Sequence, residues 1–263
     1  MNRVYKRKLT ASSFVRKSKL IIGLDLVADM KGKAGPAVQA EKDRLEKEAL
    51  RIVSQTAEHA VAFKINRHLV LPVGLFEGIP RIIDAIHDAG VTAIADIKLN
   101  DIGDTNRQIA KYYFDAGFDA IIVNPLVGME GGLDSVFDMA INRKRGIITL
   151  CYMSHPGAKE GYGLYVSPDG KLKPEPFYHY FARISRKWDT DGVIVGATYP
   201  EKIGEIRDIL GDEIPIISPG VGAQGGSARA AIDAGADFVI VARSIVEAAD
   251  PAAVAESFAA EIR

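Results

Sequence analysis

The sequence predicts an α/β fold, a single-domain (β/α)₈ (TIM) barrel, and three observations carry that expectation. Eight short apolar runs recur along the chain: Leu20–Asp25, Ala60–Ile65, Val91–Lys98, Phe118–Val123, Gly146–Tyr152, Gly192–Gly196, Ile214–Ser218 and Asp237–Ala242. They are rich in Val and Ile and mostly apolar on both faces, as strands of a helix-covered parallel sheet must be. Helix-length stretches alternate with them, at Glu41–Glu58, Ile79–Ala89, Thr105–Ala116, Pro200–Leu210, Gly226–Ala234 and about Ala252 to Ile262. A length of 263 residues suits eight strand–helix units closed into one barrel better than an open doubly wound sheet.

Each element has local support. Gly90, Gly117 and Gly235 follow three of the helices as Ala-Gly endings, where a left-handed residue closes the last turn. Two connections exceed the usual few residues, 27–40 after the first strand and 154–176 after the fifth. Both leave the C-terminal ends of strands, where barrel active sites sit, and both read as lids or as tolerated insertions. Ser167-Pro168-Asp169-Gly170 reads as a turn at the tip of a small hairpin. Residues 1–19 form a basic extension with Arg3, Lys6, Arg7, Lys8, Arg16, Lys17 and Lys19 and no acid. The expectation there is a solvated cap over the barrel bottom, with an organelle transit peptide as the other reading. The barrel domain proper is expected over 20–263.

Bulk chemistry narrows the function. A net charge of −1 gives no reason to expect nucleic acid or a membrane surface as partner. The single cysteine, Cys151, cannot form an internal disulfide, and no apolar run approaches the roughly 18 residues of a membrane span, so a cytoplasmic setting is expected. No His-Glu-x-x-His motif or cysteine pair is present, so no metal site is expected.

The chemistry concentrates at strand ends. Side chains alternate along a strand, so Asp96 and Lys98 point one way while Ala95, Ile97 and Leu99 point the other, toward the helices. That puts an acid and a base inside the barrel near its mouth, where burial is costly unless they pair. A purely structural ion pair is the bland alternative. Lys64 closes the second run and Asp25 the first, extending the set to an alternating acid–base cluster. A lysine flanked by carboxylates stays an ammonium, which suits a proton donor and not a Schiff-base nucleophile. Asp101 lies past the strand and need not share that orientation. The seventh run leads into Ser218-Pro219-Gly220-Val221-Gly222-Ala223-Gln224-Gly225-Gly226. The Gly-x-Gly-x-x-Gly spacing here lacks the acid a dinucleotide site needs about twenty residues on. In a barrel, the loops after strands seven and eight commonly cradle phosphate, and Arg243 stands ready for a bidentate contact.

Five blocks then carry a resemblance: Leu24-Asp25-Leu26, Phe63-Lys64-Ile65, Ala95 through Ile102, Met153 through Ala158, and Ser218 through Gly226. In this order they resemble the orotidine 5′-phosphate decarboxylase family, in its shorter archaeal form, from Leu20 to Ser244. The Asp-x-Lys-x-x-Asp pattern alone is shared with sugar-phosphate lyases; the Met-Ser-His-Pro-Gly and glycine-rich blocks make the resemblance specific. It implies a cofactor-free lyase forming uridine 5′-phosphate in pyrimidine biosynthesis, with no cofactor and no metal. Lys98 would protonate C6, with Asp96 beside the substrate carboxylate. Asp25 and Lys64 would hold the ribose, and Ser154 would read the pyrimidine edge. Gln224 would bridge the phosphate and base sides, Arg243 would bind the phosphate, and Pro219, Gly220 and Ala242 would complete the substrate contacts. Asp101, Ile102 and Thr105 would reach into a partner's site, making a homodimer. Two positions depart from the pattern: Ala242 replaces the usual glycine, and Asn66-Arg67-His68 replaces the segment after Lys64. The rivals are a magnesium-dependent sugar-phosphate decarboxylase or aldolase of the same superfamily and a catalytically silent phosphate-binding barrel.

Overall fold

In the computed structural model, which describes residues 4–168, 170 and 173–263, eight parallel strands close a barrel in chain order. The barrel strands are β1 (Leu20–Leu24), β2 (Ala60–Asn66), β3 (Thr92–Leu99), β4 (Ala120–Val123), β5 (Gly146–Tyr152), β8 (Gly192–Val195), β9 (Ile216–Pro219) and β10 (Phe238–Val241), with β10 pairing back onto β1. Strands β6 (Tyr165–Val166) and β7 (Glu175–Pro176) form the hairpin expected inside the long fifth connection. Gly170 N–H donates to the Ser167 carbonyl at 3.1 Å, while Asp169 of the expected turn lies outside the described residues. Around the barrel run α1 (Val4–Arg16), α2 (Pro36–Thr56), α3 (Arg67–Val73), α4 (Ile79–Asp88), α5 (Gly103–Asp115), α6 (Asp134–Asn142), α7 (Phe177–Lys187), α8 (Pro200–Leu210), α9 (Ala228–Asp233), α10 (Arg243–Val246) and α11 (Pro251–Glu261).

Helix α2 begins five residues before its expected start at Glu41. Pro36, at the first helical position, has φ pre-set for a helix, and Gly35 turns into it at φ +50°. The first long connection therefore shrinks to residues 25–35. Gly90, Gly117 and Gly235 take φ of +74°, +108° and +110° at the ends of α4, α5 and α9.

Strand alternation divides the core in two. Ala95, Ile97 and Leu99 pack outward among the helices. Ile21, Ile94, Ile122, Ile148, Leu150, Ile194, Ile217 and Ile240 fill the barrel interior. The N-terminal segment is more than a solvated surface. Helix α1 sends Tyr5 and Leu9 into that interior cluster, both fully buried, and the Tyr5 hydroxyl meets Thr92 Oγ1 at 3.3 Å. Gly146 leaves room for it, since a Cβ there would lie 2.5 Å from the Tyr5 ring.

Aspartates brace the same end of the barrel. Asp119, Asp191 and Asp237 stand just ahead of β4, β8 and β10. Their carboxylates accept the backbone N–H of Ala93, Ile147 and Ile216 on the neighbouring strands at 3.0, 3.0 and 2.8 Å. Their own N–H groups return to the carbonyls of those same residues at 2.9, 2.8 and 2.9 Å. Burial pushes the Asp119 carboxyl up, but hydrogen bonds from His87 and Ala93, with the charges of His87 and Arg145, hold it below its usual range.

Candidate active site

A cavity of about 550 Å³ opens at the C-terminal mouth of the barrel. Ile122, Leu150, Ile194 and Ile240, the last interior residues of their strands, line it together with the polar groups above them.

The polar groups form one connected chain. Lys98 Nζ donates to Asp96 Oδ1 at 2.6 Å, and Lys64 Nζ donates to Asp96 Oδ2 at 2.9 Å. Lys64 also donates to the Asn66 side-chain oxygen, and the Asn66 amide donates to Asp25. Asn66 was not among the residues the sequence singled out. Only half the signal was available: Lys64 and Asn66 are two apart on β2 and face the same way, but the link to Asp25 needs β1 and β2 paired. Burial drives the Asp96 carboxyl up, but the charges and hydrogen bonds of Lys64 and Lys98 outweigh it and hold it at about 2. Asp96 is therefore an anion at neutral pH. Lys64 is buried, whereas 39 % of the Lys98 side chain remains exposed to the cavity.

Lys98 also departs from strand geometry. Its φ is +46°, in the left-handed region, where the β3–β4 register slips between Ala95 and Leu99. A non-glycine residue held there costs on the order of 1–3 kcal/mol, a strain found most often where a side chain must be aimed.

The other side of the cavity comes from three loops. Ser154 follows β5, and its hydroxyl donates to Gln224 Oε1 at 2.6 Å. Gly220 to Gly226 fold into a tight turn after β9, with Gly226 N–H to the Gly220 carbonyl at 3.0 Å and Gly225 N–H to the Gly222 carbonyl at 2.7 Å. Gly220 has φ +96°, and a Cβ there would lie 2.9 Å from Ser154 Cβ. Pro219, Gly220, Gln224, Ala242 and Arg243 all line the cavity. Met153, His155 and Pro156 line it too. They sit in a block the sequence marked, but no chemistry singled them out.

Asp101, Ile102 and Thr105 are not brought into this cavity. All three are exposed, and Ile102 is 71 % exposed. Their turn is nevertheless rigidly built. The buried Asn106 accepts the Asp101 N–H at 3.0 Å and donates to the carbonyls of Asp101 and Gly132 at 2.5 and 3.0 Å. Among the described residues, no group of three or more His, Cys, Asp or Glu is placed to hold a metal ion. None of the described helices is long and apolar enough to cross a membrane.

Fold and site together define a (β/α)₈ barrel whose mouth joins a buried ammonium–carboxylate network to a glycine-rich, phosphate-loop-like turn. Comparison with known proteins narrows that class. A model of the orotidine 5′-phosphate decarboxylase / HUMPS family matches residues 18–258, and the chain belongs to that family. It is 39% identical over 219 residues to orotidine 5′-phosphate decarboxylase of Pyrococcus abyssi, covering 83% of this chain and 94% of that one. The crystal structure of orotidine 5′-monophosphate decarboxylase from Methanocaldococcus jannaschii complexed with inhibitor BMP superposes with a TM-score of 0.75 at 30% identity, over 94% of this chain and 99% of that one. Leishmania donovani UMP synthase superposes with a TM-score of 0.79 at 28% identity; 97% of this chain is covered, but it spans only 55% of that longer protein.

Proposed function

We propose that the protein decarboxylates orotidine 5′-phosphate to uridine 5′-phosphate in pyrimidine biosynthesis, without a cofactor. The observation that carries this reading is the Lys98 ammonium, 2.6 Å from Asp96, in one cavity with the glycine-rich turn and Arg243. The bond from C6 to the carboxylate breaks, carbon dioxide leaves, and the electron pair stays on C6. An N–H of Lys98 delivers the proton that completes the product, and solvent restores the ammonium. Because the negative charge at C6 has no conjugated sink, a fixed cation beside it lowers the barrier electrostatically. Asp96, an anion at neutral pH, keeps Lys98 charged and aimed and sits by the departing carboxylate. Lys64, Asn66 and Asp25 hold the ribose hydroxyls. Ser154 reads the pyrimidine edge, and Gln224 links it to the phosphate side. Arg243, with the backbone N–H groups of Gly220 and Ala242, binds the phosphate in a loop that Pro219 opens, and that binding energy closes the loops around the base.

The working unit in this reading is a homodimer, with Asp101, Ile102 and Thr105 completing the partner's site. Their exposure supports it, as do the exposed Leu71, Phe76, Tyr112 and Leu126 on nearby elements. We place the enzyme in the cytoplasm, where the buried Cys151 thiol, pushed up to about 12 by burial, stays reduced and inert.

A spectrophotometric decarboxylation assay tests the proposal. Wild type turns over orotidine 5′-phosphate equally well with and without EDTA, whereas Lys98→Ala is slower by roughly 10² to 10⁴ or more. Equal rates for the two proteins refute the assignment of Lys98. Activity lost in EDTA favours the magnesium-dependent sugar-phosphate rival, and tight uridine 5′-phosphate binding without turnover favours a silent barrel.

A further inference from the structure

Ser154 has a narrow seat. A Cβ on Gly196 would lie 2.6 Å from Ser154 Cα, and one on Gly220 would lie 2.9 Å from Ser154 Cβ, so the ends of β8 and β9 grip it from two sides. Its backbone is also tethered. The Thr198 hydroxyl donates to the Ser154 carbonyl at 2.9 Å, and the Tyr199 hydroxyl donates to the His155 carbonyl at 3.2 Å. Tyr199 does not line the cavity, and its anchorage lies behind it. Its ring meets Tyr152 edge-on at 5.2 Å, and Tyr152 meets Tyr178 in the same way at 5.2 Å. Tyr178 in turn donates to Glu205, and Lys202 lies over its ring at 5.0 Å. Three tyrosines thus run from the root of the long fifth connection to its far end, tied down on α8.

We propose that Tyr199 is a positioning residue: by holding the His155 carbonyl it keeps Ser154 in register with Gln224 and with the base end of a bound nucleotide. This rests on the reading of Ser154 as the base contact. Residues 153–155 have no ladder or helix of their own. The tether therefore acts on the backbone that carries the Ser154 hydroxyl, and the edge-on rings fix where the tether points. In the proposed reading the phosphate is held chiefly by Arg243, after β10, and no hydrogen bond described above joins it to Tyr199.

Tyr199→Phe removes the hydroxyl and keeps the edge-on ring contacts. Titration calorimetry is expected to show about fivefold weaker uridine 5′-phosphate binding, the net worth of one hydrogen bond of this kind. Ribose 5-phosphate, which lacks the base, is expected to bind as in wild type, and the unliganded unfolding temperature is expected to fall by no more than about 2 °C, the worth of that one bond. In a Ser154→Ala background, Tyr199→Phe is expected to add no further loss. Unchanged uridine 5′-phosphate affinity, an equal loss for both ligands, or an undiminished loss in the Ser154→Ala background would each overturn the proposal. A wild-type chain that binds both ligands without turnover refutes the decarboxylase reading and leaves the binding comparison to decide Tyr199; one that binds neither refutes both.

Discussion

Gly23 and Ala242 face each other across the seam where β10 closes onto β1, next to the paired Ile22 and Val241. A Cβ added at Gly23 would lie 2.9 Å from Ala242 Cβ and 3.6 Å from both Ala242 Cα and Ile240 Cγ2. Carbon atoms pack best at about 3.5–4.0 Å, and neither methyl can rotate away because a Cβ is fixed to its backbone. Gly23→Ala should therefore cost about 1–3 kcal/mol of overpacking strain. With an unfolding entropy of about 2.1 cal/mol/K per residue, that lowers the melting temperature of a 263-residue chain by about 2–5 °C. Ala242→Gly removes the opposing methyl. The double variant should regain most of the loss, so the two changes couple by more than about 1 kcal/mol instead of adding. Scanning calorimetry of the four proteins measures this directly. A Gly23→Ala protein as stable as wild type would show that the seam yields by a few tenths of an ångström. A double variant no better than the single would show that Ala242 is not the obstacle. Either result refutes the argument that the alanine is housed by the glycine opposite it.

Asp96 offers a pH test. Its folded-state carboxyl sits at about 2, against about 3.9 when unfolded, so its contribution of about 2–3 kcal/mol is complete above pH ~4 and lost as pH falls through ~2. Urea unfolding of Asp96→Asn should then fall less steeply than wild type between those values; parallel curves refute the shift. Tyr5→Ala empties the barrel floor and should cost about 3–5 kcal/mol, with unfolding that begins several degrees lower; a melting temperature unchanged from wild type would mean that α1 is ornamental. Mixing inactive Lys98→Ala with inactive Asp101→Ala should restore about a quarter of wild-type turnover, because half the dimers are mixed and each has one intact site. No recovery would mean that Asp101 serves its own chain.

Much of this was legible because barrel geometry converts sequence spacing into direction. One alternation rule put Asp96 and Lys98 inward and Ala95, Ile97 and Leu99 outward, and glycines marked helix ends where only φ mattered. What escaped depended on contacts made across the ring. Asn66 looked like a departure from a family pattern, and its place between Lys64 and Asp25 follows only once β1 and β2 are paired. The left-handed φ of Lys98 has no sequence signal, since nothing about a lysine announces strain. Tyr5 and Leu9 were hidden among seven basic residues, because a helix of that composition reads as solvated until a cavity of matching size lies beneath it. The start of α2 was missed for a local reason: Pro36 reads as loop as readily as a first helical residue.

The three aspartates that lace neighbouring strands together act far from any chemistry, and that distance has an evolutionary consequence. They hold the strands at the end opposite the mouth, so what happens at the rim does not decide whether the ring stays shut. Loops at the mouth can then lengthen, shorten or be exchanged with little penalty to the frame. The connection between β5 and α7 lies at that rim and carries a hairpin of its own. A laboratory search for new phosphate-ester chemistry on this scaffold should leave Asp119, Asp191 and Asp237 alone and vary the rim.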